Sequence, residues 1–473
     1  MVLWLILALV LLLLAVLVYR GMRAGIQDPA PATVIPEKVD REKAIAGMQT
    51  LIRFPTVTGP EQEEAFNGLK AALAELFPNI YRTCSLYTPS DRSLIYHWKG
   101  KKSDSPAVLM AHFDVVPAPD EGWMHPPFSG DLADGAIWGR GTLDTKSTLF
   151  SSMQACEQLM AEGFVPQQDI WLCYSGTEET GGYGAPANVE FLQSRGVHPA
   201  IVLDEGGAVV EKVFPGLTRP CAVVGTAEKG SMIVRMTVQH HSGHASTPPA
   251  ESAMGVLAKA LLRVESHPFP YRLSTAANQT FQALSGHSSL PLRIVFANLW
   301  LFRPLVSKVS AKMGGELNAL GRTTVAFTQM QGSDASNVMP DAPWISANIR
   351  VNTGETMETV IDYVKKVVHD DRVQVEATYG RNPSKESRTD GEGWEKLKNA
   401  IAGTWPDAFL SPYLMLAGSD SYFYDALCDH VYRFCPMKLS REERAMIHGK
   451  NERIPVDTLI TCIQFYIRLV RSL

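Results

Sequence analysis

The chain has 473 residues, more than one ordinary domain, and its length suggests two or three domains. Hydrophobic residues make up 45% and charged residues 20%, a composition that excludes a largely disordered protein. The formal net charge is −5, whereas a nucleic-acid-binding protein is expected to carry an excess of basic residues. No nucleic-acid partner is therefore expected. The 7 cysteines contain no CxxC pair, which favours neither a disulfide framework nor a thiolate zinc site.

The first residues form an apolar segment. Residues 2–18 are all apolar, and Tyr19, Arg20 and Arg23 follow them. A helix of this length covers about 25 Å, close to the thickness of a hydrocarbon core. No basic residue precedes the apolar run, so the sequence predicts a transmembrane anchor over 1–20 rather than a cleaved signal peptide. Two arginines after the span favour a cytoplasmic body but leave its side of the membrane open.

An α/β pattern follows a short linker. Residues 21–36 are rich in Ala and Pro and predict a stiff linker, and a first catalytic part is expected over 37–225. Within that part the patterns predict helices at 61–77, 147–162 and 189–194, and strands at 107–111, 170–174 and 201–203. Short apolar strands that alternate with helices predict a mostly parallel sheet, in which chemistry gathers at the carboxyl ends of the strands.

A different pattern begins near residue 226. Alternating strands at 231–238 and 344–351 and helices at 252–265 and 355–368 predict an inserted α+β domain over 226–378. Inside it, residues 268–322 are expected to be long and irregular. Their apolar stretch at 290–306 suits packing on the inserted domain, on a second subunit or on a membrane surface. The α/β pattern resumes over 379–473 as the second catalytic part.

Acids and a histidine stand at the predicted strand ends. The strand at 107–111 leads into His112 and Asp114, a spacing in which the carboxylate can fix the tautomer of a metal-binding imidazole. A Gly-Arg-Gly turn then presents Asp144, and the next strand ends at Glu178 and Glu179. Adjacent carboxylates repel each other unless a metal binds one, which leaves the other to act as a general base. Each signal alone is also typical of a turn or a solvated acid.

Two further signals complete the pattern. The strand at 201–203 leads into Asp204 and Glu205, of which only one should face the site because adjacent strand residues point to opposite sides. His448 lies in a polar, glycine-containing loop near the end of the chain. Nitrogen and oxygen ligands without thiolates suit zinc, cobalt or manganese. Neither a GxSxG nor an HExxH motif occurs, so a serine hydrolase and a one-metal zincin are not supported.

The motifs AHFDVVP, GRGTLDTK, TEETGG, LDEGG, SGHASTPP and IHGKNERIP span most of the chain. Their order and spacing resemble the co-catalytic zinc peptidases and amidohydrolases that include carboxypeptidase S, aminoacylase and succinyl-diaminopimelate desuccinylase. The chain looks most like the carboxypeptidase S and N-acyl-amino-acid hydrolase branch. The resemblance implies a zinc-peptidase-like α/β catalytic domain with an inserted α+β lid or dimerisation domain, preceded here by the membrane helix.

The resemblance also implies a site for two Zn²⁺ ions, with Co²⁺ or Mn²⁺ as substitutes. Its metal ligands would be Asp144 between the ions, His112 and one acid of the Asp204–Glu205 pair at the first ion, and Glu179 and His448 at the second. Relatives differ in the acid they use, and Asp204 is preferred here. Asp114 would orient His112. Glu178 would deprotonate a metal-bridging water and later protonate the leaving amine.

The inserted domain would contribute to substrate binding. His244 matches the family histidine that polarises the scissile carbonyl, either across a dimer or after lid closure. Asn337 and Arg350 match positions that hold the terminal carboxylate of the substrate. Gly418 and Ser419 resemble a loop that contacts substrate near the metals.

These assignments predict a hydrolase that cleaves an amide next to a free α-carboxylate. A dipeptide carboxypeptidase and an N-acyl-amino-acid hydrolase share this metal chemistry, so the ligands do not separate them. The expected partners are a small peptide or N-acyl amino acid, a lipid bilayer and, through the lid, a second copy of the chain. The alternative is an inactive relative that acts as a membrane-anchored scaffold, against which the presence of Glu178, His244 and all the expected ligands argues.

Overall fold

The computed structural model describes residues 1–24, 36–59, 62–211, 217 and 219–473. The helices of these residues are α1 (Val2–Arg23), α2 (Arg41–Ile52), α3 (Glu63–Leu76), α4 (Pro78–Thr83), α5 (Lys146–Ala161), α6 (Gly184–Ser194), α7 (Ala253–Ser266), α8 (Thr275–His287), α9 (Leu290–Ala297), α10 (Leu299–Met313), α11 (Gly315–Gly321), α12 (Met357–Val368), α13 (Gly391–Thr404), α14 (Ser421–Tyr424), α15 (Arg441–Arg444) and α16 (Val456–Ser472). The strands are β1 (Ser85–Tyr87), β2 (Ser93–Trp98), β3 (Lys102–His112), β4 (Leu132–Ala133), β5 (Ala136–Trp138), β6 (Gln168–Ser175), β7 (Ile201–Val210), β8 (Cys221–Glu228), β9 (Gly230–Val238), β10 (Gly243–His244), β11 (Thr324–Gln331), β12 (Val338–Met339), β13 (Trp344–Val351), β14 (Val373–Arg381), β15 (Phe409–Met415), β16 (Val431–Leu439) and β17 (Arg453–Pro455).

An eight-stranded sheet lies at the centre of the fold, in the order β1-β2-β6-β3-β7-β16-β8-β15. Strands β6, β3, β7 and β16 run parallel, as do β8 and β15, so the predicted mostly parallel sheet is confirmed. Successive residues of β3 enter cores on opposite faces. Leu109 lies in the cluster that contains Leu149 of α5, whereas Val108 lies in the cluster that contains Leu192 of α6. Both faces are therefore covered by helices, as the apolar strand predicted.

A second sheet has four antiparallel strands in the order β11-β13-β9-β14. Helix α12 begins at a capping box on Thr356 and places Val360, Val364 and Val368 against this sheet. The spacing of four keeps these valines on one side of the helix. The sheet runs from Gly230 to Arg381, slightly later than the expected domain over 226–378, because β8 continues in the central sheet to Glu228.

The expectation of an irregular segment at 268–322 is wrong, because most of it forms helices α8 to α11. Ser274 caps α8 by accepting a hydrogen bond from the backbone N–H of Ala277. Pro291 lies in the first turn of α9, where its missing N–H costs nothing, and α10 accommodates Pro304. Helix α8 packs on the central sheet, and the Thr280 hydroxyl donates to the carbonyl oxygen of Pro412 at 2.8 Å.

The apolar segment forms one helix, α1, that is long and apolar enough to cross a membrane as an anchor or a signal sequence. Residues 21–23, expected to begin the linker, continue this helix, and 25–35 lie outside the described residues. Only Leu17 and Gly21 of α1 are buried. Helices α9 and α10 form an apolar pair with a bend of 109° between them.

Candidate metal centre

The candidate site lies at one edge of the central sheet. His112 ends β3, Glu178 and Glu179 follow β6, and Glu205 lies on β7. Because β6, β3 and β7 are parallel neighbours, their carboxyl ends meet at this edge. The sheet topology therefore brings together residues that stand far apart in the sequence.

Asp144 lies between two histidines. One of its carboxylate oxygens is 3.0 Å from Nε2 of His112, and the other is 3.0 Å from Nε2 of His448. Glu205 Oε1 lies 3.3 Å from the same His112 nitrogen. The sequence-predicted residues Asp144, His112 and Glu205 thus form one group whose ligand atoms lie within 4.8 Å of one another.

A second group of the same dimensions contains Asp144, Glu179 and His448. Glu179 Oε2 lies 3.2 Å from Nε2 of His448. The two carboxylates raise the pKa of His448 to about 10 through their hydrogen bonds. Glu179 Oε1 is buried with no hydrogen-bond partner among the described residues, and a buried carboxylate oxygen in that state suits a cation.

The structure separates Asp204 from Glu205. The Asp204 carboxylate accepts a hydrogen bond from the backbone N–H of Ser421 at 2.8 Å and belongs to neither ligand group. Glu205 takes the place beside His112 instead. The preference for Asp204 as the ligand is therefore not supported by the geometry. The physical reason is the alternation along β7, which allows only one of two adjacent acids to face the site.

Asp114 links His112 to the Glu-Glu turn. Its backbone carbonyl oxygen lies 2.9 Å from Nδ1 of His112, so Nδ1–H donates there and Nε2 faces Asp144. The two carboxylate oxygens of Asp114 accept from the backbone N–H groups of Glu178 and Glu179, each at 3.1 Å. One buried residue thus orients both the imidazole and the turn that carries the two glutamates.

The site concentrates negative charge away from water. Burial raises the pKa of Glu178 well above its ordinary value, the charge of His112 opposes this, and Glu205, Asp420 and Asp144 add to it. Burial, followed by the charge of Asp144, raises the pKa of Glu205 to about 8. Carboxylates gathered in this way repel one another, and bound cations remove the repulsion. The imidazole nitrogens, the carboxylate oxygens and the unpartnered Glu179 Oε1 fit a two-metal centre.

His244 lies on β10 and Asn337 directly precedes β12, the two strands of a small antiparallel sheet on the inserted domain. The backbone N–H of Ala245 donates to the carbonyl oxygen of Asn337 at 3.0 Å. The backbone N–H of Ser246 donates to Nδ1 of His244 at 3.1 Å, so Nδ1 is an acceptor and Nε2 carries the proton. His244 is exposed and presents an N–H donor to solvent or to a substrate.

Arg350 has a second arginine beside it. Arg350 on β13 and Arg381 on β14 both pair with Ser231 of β9, so the two arginines lie in one cross-strand row on the same face. Burial and the charge of Arg381 lower the pKa of Arg350. Two neighbouring guanidinium groups favour an anion between or above them. Sequence reasoning identified Arg350 but missed Arg381.

The Gly418–Ser419 loop is joined to Arg381 through a buried acid. Glu228, at the end of β8, accepts from Arg381 Nη2 at 2.9 Å and from the Ser419 backbone N–H and hydroxyl, each at 3.0 Å. Arg433 Nε donates at 2.9 Å to Oε1 of Glu228, the oxygen that also accepts from the Ser419 hydroxyl. Glu228 was missed in the sequence, where an acid at the end of an apolar strand was the only signal. It ties the loop to the arginine row.

Glu452 is a further buried acid that sequence reasoning did not single out, although it stands in the IHGKNERIP motif. Its Oε1 accepts backbone N–H groups from Gly141 at 3.0 Å, Leu143 at 2.8 Å and Asp144 at 3.3 Å. Its Oε2 accepts from buried Arg140. Glu452 therefore positions the loop that carries Asp144.

Comparison with known proteins agrees with this geometry. Residues 108–472 match Peptidase family M20/M25/M40. The chain is 34% identical to the N-fatty-acyl-amino acid synthase/hydrolase PM20D1 of Xenopus tropicalis, over 97% of this chain and 92% of that protein. It is 27% identical to carboxypeptidase S of Saccharomyces cerevisiae, over 92% and 84% of the two chains. An M20 family metallo-carboxypeptidase from Sulfolobus solfataricus shares the fold, with a TM-score of 0.65 at 15% identity over 90% of this chain and 98% of that chain.

The chain therefore belongs to the M20/M25/M40 peptidase family, and it is a metal-dependent hydrolase of that family. The predicted carboxypeptidase S and N-acyl-amino-acid hydrolase branch is confirmed.

Proposed function

From this family membership, we propose that the chain hydrolyses an amide bond next to a free α-carboxylate, with N-acyl amino acids as the favoured substrates. The observation that carries the proposal is Asp144, whose two oxygens each face one histidine, with Glu178 beside them. This arrangement supports hydrolysis of a carbonyl compound by an activated water.

The proposed metals are two zinc ions. Their ligands would be Asp144 shared by both, His112 and Glu205 at one ion, and Glu179 and His448 at the other. When bound, the two ions would polarise the scissile carbonyl and lower the pKa of the attacking water.

Glu178 is the proposed general base. It removes a proton from the attacking water and then delivers that proton to the nitrogen of the leaving amine. The raised pKa of Glu178 favours a group that can hold this proton between the two steps. The backbone N–H of Glu178 donates to the carboxylate of Asp114, which also contacts His112 through its carbonyl oxygen. Asp114 therefore positions the backbone of the proposed base relative to His112.

The inserted domain is proposed to hold the substrate. Arg350 and Asn337 bind its free carboxylate, and the Nε2–H of His244 donates to the carbonyl oxygen as negative charge develops there. The row formed by Arg350 and Arg381 supports an anion on this face. Closure of the domain, or a second copy of the chain, would bring His244 to the metals.

N-acyl amino acids are favoured over dipeptides because relatives at 31–34% identity carry the name N-fatty-acyl-amino acid synthase/hydrolase. A dipeptide carboxypeptidase is the second candidate, favoured by the resemblance to carboxypeptidase S. We further propose that α1 stays on the mature chain as a membrane anchor, since Leu17 and Gly21 are buried against the protein.

The test uses the full chain in detergent, loaded with zinc. Amino acid release is followed from long-chain N-acyl amino acids, short-chain N-acyl amino acids and Gly-Xaa dipeptides, with and without a chelator. We expect chelator-sensitive release, fastest from a long-chain member. Faster release from dipeptides would indicate a dipeptide carboxypeptidase. No release of amino acid from a metal-loaded chain would favour an inactive relative that acts as a membrane-anchored scaffold.

A variant tests the base. Glu178→Gln should lower turnover by about 10²–10⁴-fold while the metal content stays unchanged, because general acid–base catalysis is removed but no ligand is. Glu190→Gln, an exposed glutamate on α6, is the matched control and should keep full activity. Near-normal turnover of Glu178→Gln would show that another group is the base.

A further inference from the structure

Helix α10 presents an apolar side that the described residues leave uncovered. Leu301, Leu305, Val309 and Met313 follow one another at intervals of four residues, and each exposes between 37% and 68% of its surface. The neighbouring Trp300 is 60% exposed. A spacing of four keeps these side chains on one side of the helix, and a contiguous apolar surface of this kind is typical of an interaction site.

The same segment is positively charged. No Asp or Glu occurs between Glu265 and Glu316. Arg303, Lys308 and Lys312 lie on α10 among the apolar residues, and all three are exposed. Apolar side chains flanked by cations suit the surface of an anionic bilayer, where the chains enter the acyl region and the cations meet phosphates.

Helix α9 contacts α1 at the end of α1 that carries the arginines. Asn298, between α9 and α10, donates to the carbonyl oxygen of Leu17 at 3.0 Å. Gly21 lies so close to Ile294 of α9 that an added Cβ would be 2.7 Å from its Cγ1. Because the last turn of an apolar spanning helix lies near the lipid headgroups, the start of α10 lies at the same level.

A cavity of about 550 Å³ lies at this junction. Arg20 and Arg23 of α1 line it together with Phe296 and Trp300 of the insertion. Arginines beside aromatic rings are the composition of a membrane–water boundary, and the cavity is large enough for part of a phospholipid headgroup.

We propose that α9 and α10 lie on the bilayer that holds α1, with Leu305 and Val309 in the acyl region and Lys308 and Lys312 at the phosphates of anionic lipids. The inference rests on the proposed membrane anchor. Helices α9 and α10 would then be a second point of attachment beside α1. Two points of attachment fix the orientation of the protein relative to the membrane, which one helix and a linker cannot do.

Photo-crosslinking of the full chain in phosphatidylcholine–phosphatidylserine nanodiscs tests the proposal. A benzophenone amino acid replaces one leucine at a time, at Leu305 on α10, at Leu9 on α1 or at Leu262 on α7. Leu9 and Leu262 are each 62% exposed and Leu305 is 53% exposed, so the three positions are matched in accessibility. Retained amide hydrolysis shows that each labelled chain is folded.

Lipid adducts are expected at Leu9 and Leu305 but not at Leu262. Replacing Lys308 and Lys312 by Gln should reduce the adduct at Leu305, with a smaller reduction in nanodiscs without phosphatidylserine. An adduct at Leu9 without one at Leu305 overturns the inference and leaves the anchor standing, as does crosslinking of Leu305 to a second copy of the chain. Absence of lipid at both positions overturns the anchor as well.

Discussion

The substitution Glu452→Gln tests how the loop that carries Asp144 is held. The Glu452 side chain is fully buried, and one oxygen accepts from the backbone N–H groups of Gly141, Leu143 and Asp144. The other oxygen accepts from Arg140, which is also buried. Glutamine keeps the size of the side chain and one acceptor oxygen, but its NH₂ group cannot accept a bond from the loop or from the guanidinium.

The variant therefore leaves the Arg140 charge buried without its anion. Removing one partner of a buried ion pair costs about 3–5 kcal/mol, so we expect the free energy of unfolding to fall by that amount. The same arginine donates to the carbonyl oxygen of His448 at 3.2 Å, so both loops of the candidate metal centre lose a support. Loss of such supporting contacts lowers metal affinity by about 10–100-fold.

Urea unfolding of the zinc-loaded full chain measures the first effect, and competition with a fluorescent chelator measures the second. Glu442→Gln, an exposed glutamate on α15, is the control and should stay within about 0.5 kcal/mol of the wild type. The double variant Arg140→Met/Glu452→Gln should recover part of the stability, because no unpaired charge remains. If Glu452→Gln and Glu442→Gln unfold alike, the ion pair does not support the loop and the reasoning is refuted.

Three other outcomes follow from the structure. Asp144→Ala should lose both metals and His448→Ala about one, because only Asp144 belongs to both ligand groups; equal metal contents by elemental analysis would argue against a shared ligand. Burial lowers the pKa of Lys229 from 10.5 to about 7, so the unfolded chain binds more protons between these pH values and stability rises with pH. Lys229→Met should show a smaller rise, and identical pH slopes in urea titrations would contradict this. Gly418→Ala would place a Cβ 1.7 Å from Arg381 Nη2, so we expect KM to rise more than kcat falls, and an unchanged KM would show that the arginine row does not bind substrate.

The site residues at the strand ends could be predicted from the sequence because each has a recognisable local signal before it. His112, Asp144 and Glu179 each follow an apolar strand or a glycine turn, and parallel strands bring such ends to one edge. The choice between Asp204 and Glu205 was not accessible. It depends on which side of β7 faces the site, and the register of β7 with β16 shifts just after Asp204.

Long-range contacts account for what the sequence did not predict. Glu452 supports a loop about 310 residues earlier, and Glu228 joins strands whose pairing depends on the whole sheet. Helices α9 and α10 were missed for a different reason. Apolar residues run nearly continuously over 290–306, and this run obscures in the sequence the spacing of four that α10 has in the structure.

The order of the site residues along the chain has a consequence for biosynthesis. His112 and Asp144 leave the ribosome early, whereas His448 and Glu452 follow only after the four-stranded sheet and helices α7 to α13 have been made. A nascent chain can hold at most the His112 group, with the Asp144 loop still lacking its acceptor Glu452. A chain that ends before residue 448 therefore keeps His112, Asp144 and Glu205 but lacks His448 of the second ligand group and the Glu452 acceptor that supports the Asp144 loop.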